Sequence, residues 1–81
     1  MEASVFKAKG AYQIRGVGTV WYGPSPFDFL RKDFLEAFAG KWRIDHPGAF
    51  GKVFRVTGVE SHCVPRIRTG DQIGLVVVEI E

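Results

Sequence analysis

Ala11-Tyr12-Gln13-Ile14-Arg15-Gly16-Val17-Gly18-Thr19-Val20-Trp21-Tyr22-Gly23 is the stretch that most directly decides the fold. Its first four residues alternate between apolar and polar side chains, as in a half-buried strand. Gly16 and Gly18 can adopt the positive φ that a turn requires. Residues 19–22 are rich in β-branched and aromatic side chains, which favour strands. The stretch therefore predicts a β-hairpin.

Four further stretches have the length and composition of strands: residues 5–9, 41–45, 52–60 and 73–80. Turn residues separate them at His46–Gly48 and Thr69–Asp71. Gly58 and Gly74 lie inside strands, where glycine often marks a bulge or a sharp bend. The run Leu75–Val78 is apolar on both faces, which predicts a strand at the centre of a sheet. Together, about six short strands predict a small, strongly coiled antiparallel β-barrel.

One helix is predicted as an insertion in this β domain, from Ser25 to Ala39. Ser25 is a suitable N-cap, Pro26 fits the first helical position, and Gly40 fits the position after the last turn. Apolar residues recur at helical spacing at Phe27, Leu30, Phe34, Ala37 and Phe38. Phe29 and Leu35 fall outside this stripe, so the apolar face is wide. A wide face predicts burial on two sides or against a partner.

Length and composition predict one domain, residues 1–81, in the cytoplasm. The chain is 46% hydrophobic and contains seven Phe, two Trp and two Tyr, which is ample material for a core. Its single cysteine, Cys63, cannot form an intramolecular disulfide. The N-terminus lacks the apolar region of a secretion signal, and no apolar run approaches the roughly 18 residues of a membrane span. Rings left exposed on the monomer would favour a homo-oligomer, most simply a dimer.

The net charge of +2 is too small to indicate nucleic-acid binding by bulk electrostatics alone. Basic residues nevertheless occur in close pairs: Lys7 and Lys9, Lys41 and Arg43, Lys52 and Arg55, Arg66 and Arg68. A spacing of two puts both side chains on one face of a strand. The pairs are explained either by the solvated face of each strand or by a basic surface that the strands share.

No arrangement of residues indicates catalysis or a cofactor. His62 and Cys63 are adjacent, and Glu60 is two positions away, which raises the question of a nucleophile or a metal site. Neighbouring residues of an extended chain point apart, however, so the pair by itself forms no dyad. A loop cysteine beside an exposed histidine is the simpler interpretation.

Two segments resemble the second domain of translation elongation factor Tu and its GTPase relatives. One is Tyr12–Val20 followed by Gly23, which matches the family's aromatic-x-Ile strand, Gly-x-Gly-Thr-Val turn and later glycine. The other is Val56–Glu60, a loop, and Thr69–Val76, which match Thr-Gly-Val-Glu, a basic loop and Ala-Gly-Asp-Asn-Val-Gly. The two segments cover about a third of the chain in the family's order.

The resemblance implies a β-barrel that helps to hold the aminoacylated 3′ end of tRNA. In the family, the glutamate that matches Glu60 lies at this pocket with a basic residue three positions on, where this chain has Cys63. The predicted helix stands where the family has a hairpin. The phosphate loop of a GTPase, Gly-x-x-x-x-Gly-Lys, does not occur in this sequence.

These observations lead to three hypotheses, and none of them is an enzyme. The first is a non-enzymatic binding module for RNA or a protein partner, with candidate ligand residues Arg15, Lys52, Arg55, Glu60, Arg66 and Arg68. The second is a homo-oligomeric structural protein. The third is a small-molecule site between the helix and the barrel end, lined by Trp21, Phe34, Phe38 and Trp42.

Overall fold

A computed structural model of the chain describes residues 3–30, 34–61 and 66–80. These residues are mainly β, as predicted. The strands are β1 (Ser4–Lys7), β2 (Gly10–Ile14), β3 (Gly18–Pro24), β4 (Phe29–Leu30), β5 (Lys41–Asp45), β6 (Val53–Ser61), β7 (Arg66–Ile67) and β8 (Gln72–Glu79). Within the described ranges, helical structure consists of α1 (Phe34–Ala37) and a 3-10 turn at Pro47–Ala49. No helix of this part of the chain is long and apolar enough to cross a membrane.

Six strands form one mixed sheet in the order β1-β5-β6-β8-β3-β2, and β4 pairs separately with β7. The pairing of β1 with β5 is parallel, and the other ladders are antiparallel. The predicted hairpin is confirmed, because β2 pairs with β3 from Gly10↔Tyr22 to Ile14↔Gly18. At its turn, Val17 N donates to Ile14 O at 3.0 Å, and Gly16 has a φ of 81°, as position i+2 of a type II turn requires.

The predicted closed antiparallel barrel is wrong, because the six-stranded sheet is open and has β1 and β2 as its edges. These edge strands are successive parts of one segment, joined by Ala8 and Lys9. The segment changes its partner at this joint, from β5 to β3, so each part bonds a different end of the sheet. The sheet is nevertheless curled, because the end of β1 approaches β3: a Cβ added at Gly23 would lie 3.1 Å from Ala8 Cα.

The predicted helix from Ser25 to Ala39 is wrong over most of its length. Its described helical part is α1, and Phe29–Leu30 form a strand instead. The capping bond itself is present, since Ser25 Oγ accepts from Phe27 N at 3.2 Å. The Ser25 main chain, however, donates to Asp71 O at 2.6 Å and accepts from Gly70 N at 2.9 Å. These bonds prolong the pairing of β3 with β8, so the chain stays extended where the local signal favours a helix.

The core lies on the concave face of the sheet, which α1 and the residue after it cover. Phe38 is fully buried against Phe27 and Trp42, with ring centroids 5.3 and 5.1 Å away. Trp42 Nε1 also donates to Phe38 O at 3.0 Å. Gly40 has a φ of 96°, but α1 ends at Ala37, so Gly40 does not directly follow the helix as predicted. The buried residues of the concave face include Phe6, Trp21, Ile44, Phe54, Ile73, Leu75 and Val77.

Candidate functional site

An open cleft of about 260 Å³ lies on the opposite, convex face of the sheet. Its lining residues, named here the tyrosine cleft, are Tyr12, Tyr22, Gln72, Ile73 and Gly74. The two tyrosine rings lie 5.9 Å apart between centroids, with a tilt of 40° between their planes. Tyr12 is 39% exposed and Tyr22 is half-buried, so a ligand in the cleft can reach aromatic surface.

Two glycines make room for side chains at the tyrosine cleft. A Cβ added at Gly10 would lie 2.8 Å from Tyr22 Cζ, so the ring of Tyr22 rests on the bare backbone of β2. A Cβ added at Gly74 would lie 2.8 Å from Val20 Cγ1 and 3.6 Å from Tyr12 Oη. Glycine at position 10 therefore leaves space for the Tyr22 ring, and glycine at position 74 leaves space for the Val20 side chain.

A β-bulge brings Glu60 to the tyrosine cleft. Between Val56 and Gly58 the register of β6 against β8 shifts by one residue, at the place where Gly58 predicted a bulge. Val56 and Val59 both pack on the core, a spacing of three that regular alternation does not allow. As a result Glu60 pairs with Gly74 and is exposed on the convex face. Its Cβ lies 3.6 Å from the position that a Gly74 Cβ would occupy.

Basic side chains lie farther along the same face. Arg55 is exposed, pairs with Val78 of β8 on one side, and pairs with Lys41 of β5 on the other. Four residues of β8 separate Val78 from Gly74, which corresponds to about 13 Å of strand. Like charges directly opposite each other in a sheet are destabilising. An anion bound beside Lys41 and Arg55 would reduce this repulsion, so the positive charge at this end of the convex face favours an anionic ligand.

The structure brings two of the predicted ligand residues, Arg55 and Glu60, onto one face of β6. Arg15 is exposed in the hairpin turn, directly after β2. Lys52 lies before β6, and its Nζ forms a half-exposed ion pair with Glu79 at 3.3 Å. Arg68 is exposed at the turn before β8, where its backbone N donates to Asp71 Oδ2 at 2.8 Å.

Arg66 pairs with Leu30 through the backbone of β7, and its side chain lies outside the described part of the structure. The segment that contains His62 and Cys63 also lies outside it. Within the described ranges, no group of three or more His, Cys, Asp or Glu side chains could hold a metal ion.

The residues of the predicted aromatic site do not form one pocket: Phe38 and Trp42 lie together, and Trp21 lies elsewhere. Phe38 and Trp42 pack against each other between α1 and the sheet, so these rings fill that space. Phe34 begins α1, and its side chain is outside the described set. Trp21 is buried too, but its edge lines another cleft of about 270 Å³ at the end of the concave face, with Thr19 and Phe54 among its neighbours.

Tyr12, Tyr22, Gln72 and Gly74 were not among the predicted ligand residues. The place of Tyr22 outside the core could have been predicted from its neighbour Trp21. Adjacent residues of a strand point to opposite faces, so only one of these two rings can lie in the core. The part played by Gln72 and Gly74 follows from the position of β8 beside β3, which is a property of the whole sheet.

No family model, curated protein sequence or solved structure matches this chain.

Proposed function

We propose that this chain is a non-enzymatic module that binds single-stranded RNA on the convex face of its sheet. The observation that carries the proposal is the tyrosine cleft with Glu60 beside it and Arg55 farther along the same strand pair. Single-stranded nucleic acids are bound by stacking of their bases on aromatic rings, beside cations that follow the backbone.

The tyrosines supply the stacking surface. Tyr12 lies on an edge strand and is 39% exposed, so a base can approach its ring without a rearrangement of the sheet. The cleft volume of about 260 Å³ suits a planar ring system of the size of one base. Base stacking on an aromatic ring contributes about 1–3 kcal/mol per base.

Polar groups at the margin of the cleft supply hydrogen bonds. Gln72 offers both a donor and acceptors, whereas an ionised Glu60 only accepts. A carboxylate in this position favours ligand groups that donate, such as the amino group of a base or the hydroxyls of a ribose. The ribose 2′-hydroxyl distinguishes RNA from DNA, so Glu60 favours RNA.

The basic end of the face supplies contacts for phosphates. Arg55 and Lys41 lie about 13 Å of strand from the cleft, a separation of a few nucleotides in an extended chain. Arg15, in the hairpin turn, lies at the same end of the sheet as Arg55. With about two phosphates neutralised, the logarithm of the affinity should fall with the logarithm of salt concentration with a slope of about −1.4.

The resemblance to the second domain of elongation factor Tu supports the same class of ligand. The family's counterpart of Glu60 contributes to the pocket for the 3′ end of tRNA, and in this structure Glu60 borders the tyrosine cleft. We therefore expect tRNA, with its single-stranded 3′ end, to compete with a single-stranded oligonucleotide for the site.

The proposal is tested by fluorescence anisotropy with a labelled single-stranded RNA at two salt concentrations. Tyr12→Ala should weaken binding about 5- to 150-fold, as the loss of one stacked base predicts. Tyr12→Phe keeps the ring and should bind within about threefold of the unchanged chain. Arg55→Ala should make the salt dependence shallower by about 0.7 in slope.

Leu35→Ala is the matched control, because Leu35 is 55% exposed on α1, on the other side of the sheet. This variant should bind RNA as the unchanged chain does. Binding weaker than about 10⁻⁴ M at low salt, or equal losses in Tyr12→Ala and Leu35→Ala, would contradict the proposal.

A further inference from the structure

A second open groove, of about 550 Å³, lies beside the loop between β5 and β6. Apolar side chains of Val5, Pro47 and Phe50 line it together with the charged residues Arg43 and Asp45. We name it the Phe50 groove. It lies at the β1 end of the sheet, whereas the tyrosine cleft lies towards the β2 end.

Phe50 is 81% exposed, the largest exposure among the large apolar side chains described. It adopts a φ of 53° and a ψ of 32°, the left-handed conformation that bulky residues avoid. The turn around it is pinned, since Phe50 N donates to Pro47 O at 3.3 Å and Lys52 N to Ala49 O at 3.0 Å. Glycine or asparagine would form this turn with less strain. The turn therefore holds a phenyl ring in solvent at a conformational cost, which is typical of functional positions.

The charges in the groove are arranged so that the surface complements itself. Arg43 and Asp45 lie two residues apart on β5, so both side chains project from the convex face, about 6.6 Å apart. Arg43 Nη1 donates to Gly51 O at 3.0 Å, which fixes the guanidinium beside the Phe50 turn. For Asp45, no ion pair with another described residue is present. A two-fold axis between these residues would set each Arg43 against the Asp45 of the other copy.

We infer that the Phe50 groove is the interface of a two-fold symmetric homodimer, in which the occupant of each groove is Phe50 of a second copy. The projecting ring of Phe50 and the groove that would receive it lie in the same surface patch. A closed two-fold contact requires this, because it brings the same patch of both subunits together. An aromatic anchor among apolar side chains is typical of an interface centre, and charged groups such as Arg43 and Asp45 are typical of the polar rim around it. Val5, which is 50% exposed on edge strand β1, extends the apolar part of this contact.

The dimer leaves the tyrosine cleft accessible, because the cleft lies on β3 and β8, on the other side of β6. Lys41, at the basic end of the RNA surface, lies two residues from Arg43 on the same face of β5 and is therefore nearer to the dimer contact. Dimerisation is measured without RNA, and RNA binding is measured with the tyrosine variants. Failure of one proposal is therefore distinguishable from failure of the other.

The first experiment is sedimentation equilibrium of the full chain and of Phe50→Gly over a wide range of protein concentration. The unchanged chain should dimerise, and Phe50→Gly should raise the dimer Kd at least about 30-fold, as expected for a central aromatic anchor. Because glycine prefers the backbone conformation of position 50, this variant should unfold at the same denaturant concentration as the unchanged chain or a higher one, measured under conditions where both are monomers. Phe50→Asn should behave similarly.

The second experiment tests the two-fold geometry. Arg43→Asp alone and Asp45→Arg alone should each weaken the dimer, because like charges then face each other across the axis. An equimolar mixture of these two variants should form a mixed dimer, since opposite charges face each other again at both positions. A monomeric unchanged chain at millimolar concentration, an unaltered Kd in Phe50→Gly, or a mixture that stays monomeric would each overturn the inference.

Discussion

Gly23 of β3 lies against the joint between β1 and β2. A Cβ added there would lie well inside contact distance of the Lys7 carbonyl oxygen and 3.1 Å from Ala8 Cα. The opposing oxygen belongs to the main chain, so no rotamer change can relieve the clash. Gly23→Ala therefore forces β1 and β3 apart. Overpacking costs about 1–3 kcal/mol, and we expect the upper end of that range here.

The expected net effect is smaller, because alanine reduces the conformational entropy of the unfolded chain. This term stabilises the folded state by about 0.4–1 kcal/mol. The free energy of unfolding of Gly23→Ala should thus fall by about 2 kcal/mol, which lowers the Tm by roughly 8–16 °C in a domain of this size. Urea unfolding followed by the fluorescence of Trp21 and Trp42 measures the change.

Gly58→Ala is the matched control within the same sheet. A Cβ at this position would meet Val76 Cβ and Cγ2 at 3.5 Å, an ordinary van der Waals contact. Its free energy of unfolding should stay the same or rise by up to about 1 kcal/mol. If Gly23→Ala is as stable as Gly58→Ala, the close approach of β3 to the end of β1 is not a constraint on the fold, and the reasoning fails.

Three further substitutions test the packing of the core and surface by thermal and urea unfolding. Ser25→Ala should lower the free energy of unfolding by about 1 kcal/mol, because the buried hydroxyl forms hydrogen bonds with the backbone of Phe27, in the turn that replaces the predicted helix start. An unchanged Tm would show that these bonds contribute nothing to stability. Trp42→Phe loses the indole bond to Phe38 O and part of the ring volume, so a loss of about 2 kcal/mol is expected, and one below about 0.5 kcal/mol would contradict it. Lys52→Ala should change stability by less than about 0.5 kcal/mol, because the ion pair with Glu79 is half-exposed, and a larger loss would mean that the pair is coupled to the core.

The elements that could be predicted from the sequence are those with a local cause. The turn at Gly16 joins two alternating stretches, and the hairpin forms with the expected turn residues in place. Gly58 marks the bulge in β6, and the apolar run Leu75–Val78 lies in a strand near the centre of the sheet. In each case residues adjacent in sequence contain the whole signal.

The helix prediction failed because its competitor is distant in sequence. Ser25 makes the local bond that begins many helices, but its backbone pairs with Gly70 and Asp71 near the other end of the chain. The burial of Ser25 and the pairing of Phe29–Leu30 with β7 also favour an extended chain. Secondary-structure propensity is a weak preference that such tertiary contacts override.

The candidate site could be predicted only in part. Arg55 and Glu60 were identified from charge and from the resemblance, and they share a strand face only because the bulge turns Glu60 outward. The tyrosine cleft depends on the neighbouring positions of β2, β3 and β8, and strand order is not a local property of the sequence.

The central position of β8 has a consequence for how the chain acquires its fold. β8 follows all other described strands in the chain, yet it lies between β6 and β3. The β2–β3 and β5–β6 hairpins can each form early from local contacts, but they share no ladder until residues 72–79 are inserted between them. Such non-local pairing makes folding slow compared with helical domains of similar length. During translation the strand edges of both hairpins therefore stay unpaired and exposed to other chains. The core closes only after β8 has emerged from the ribosome.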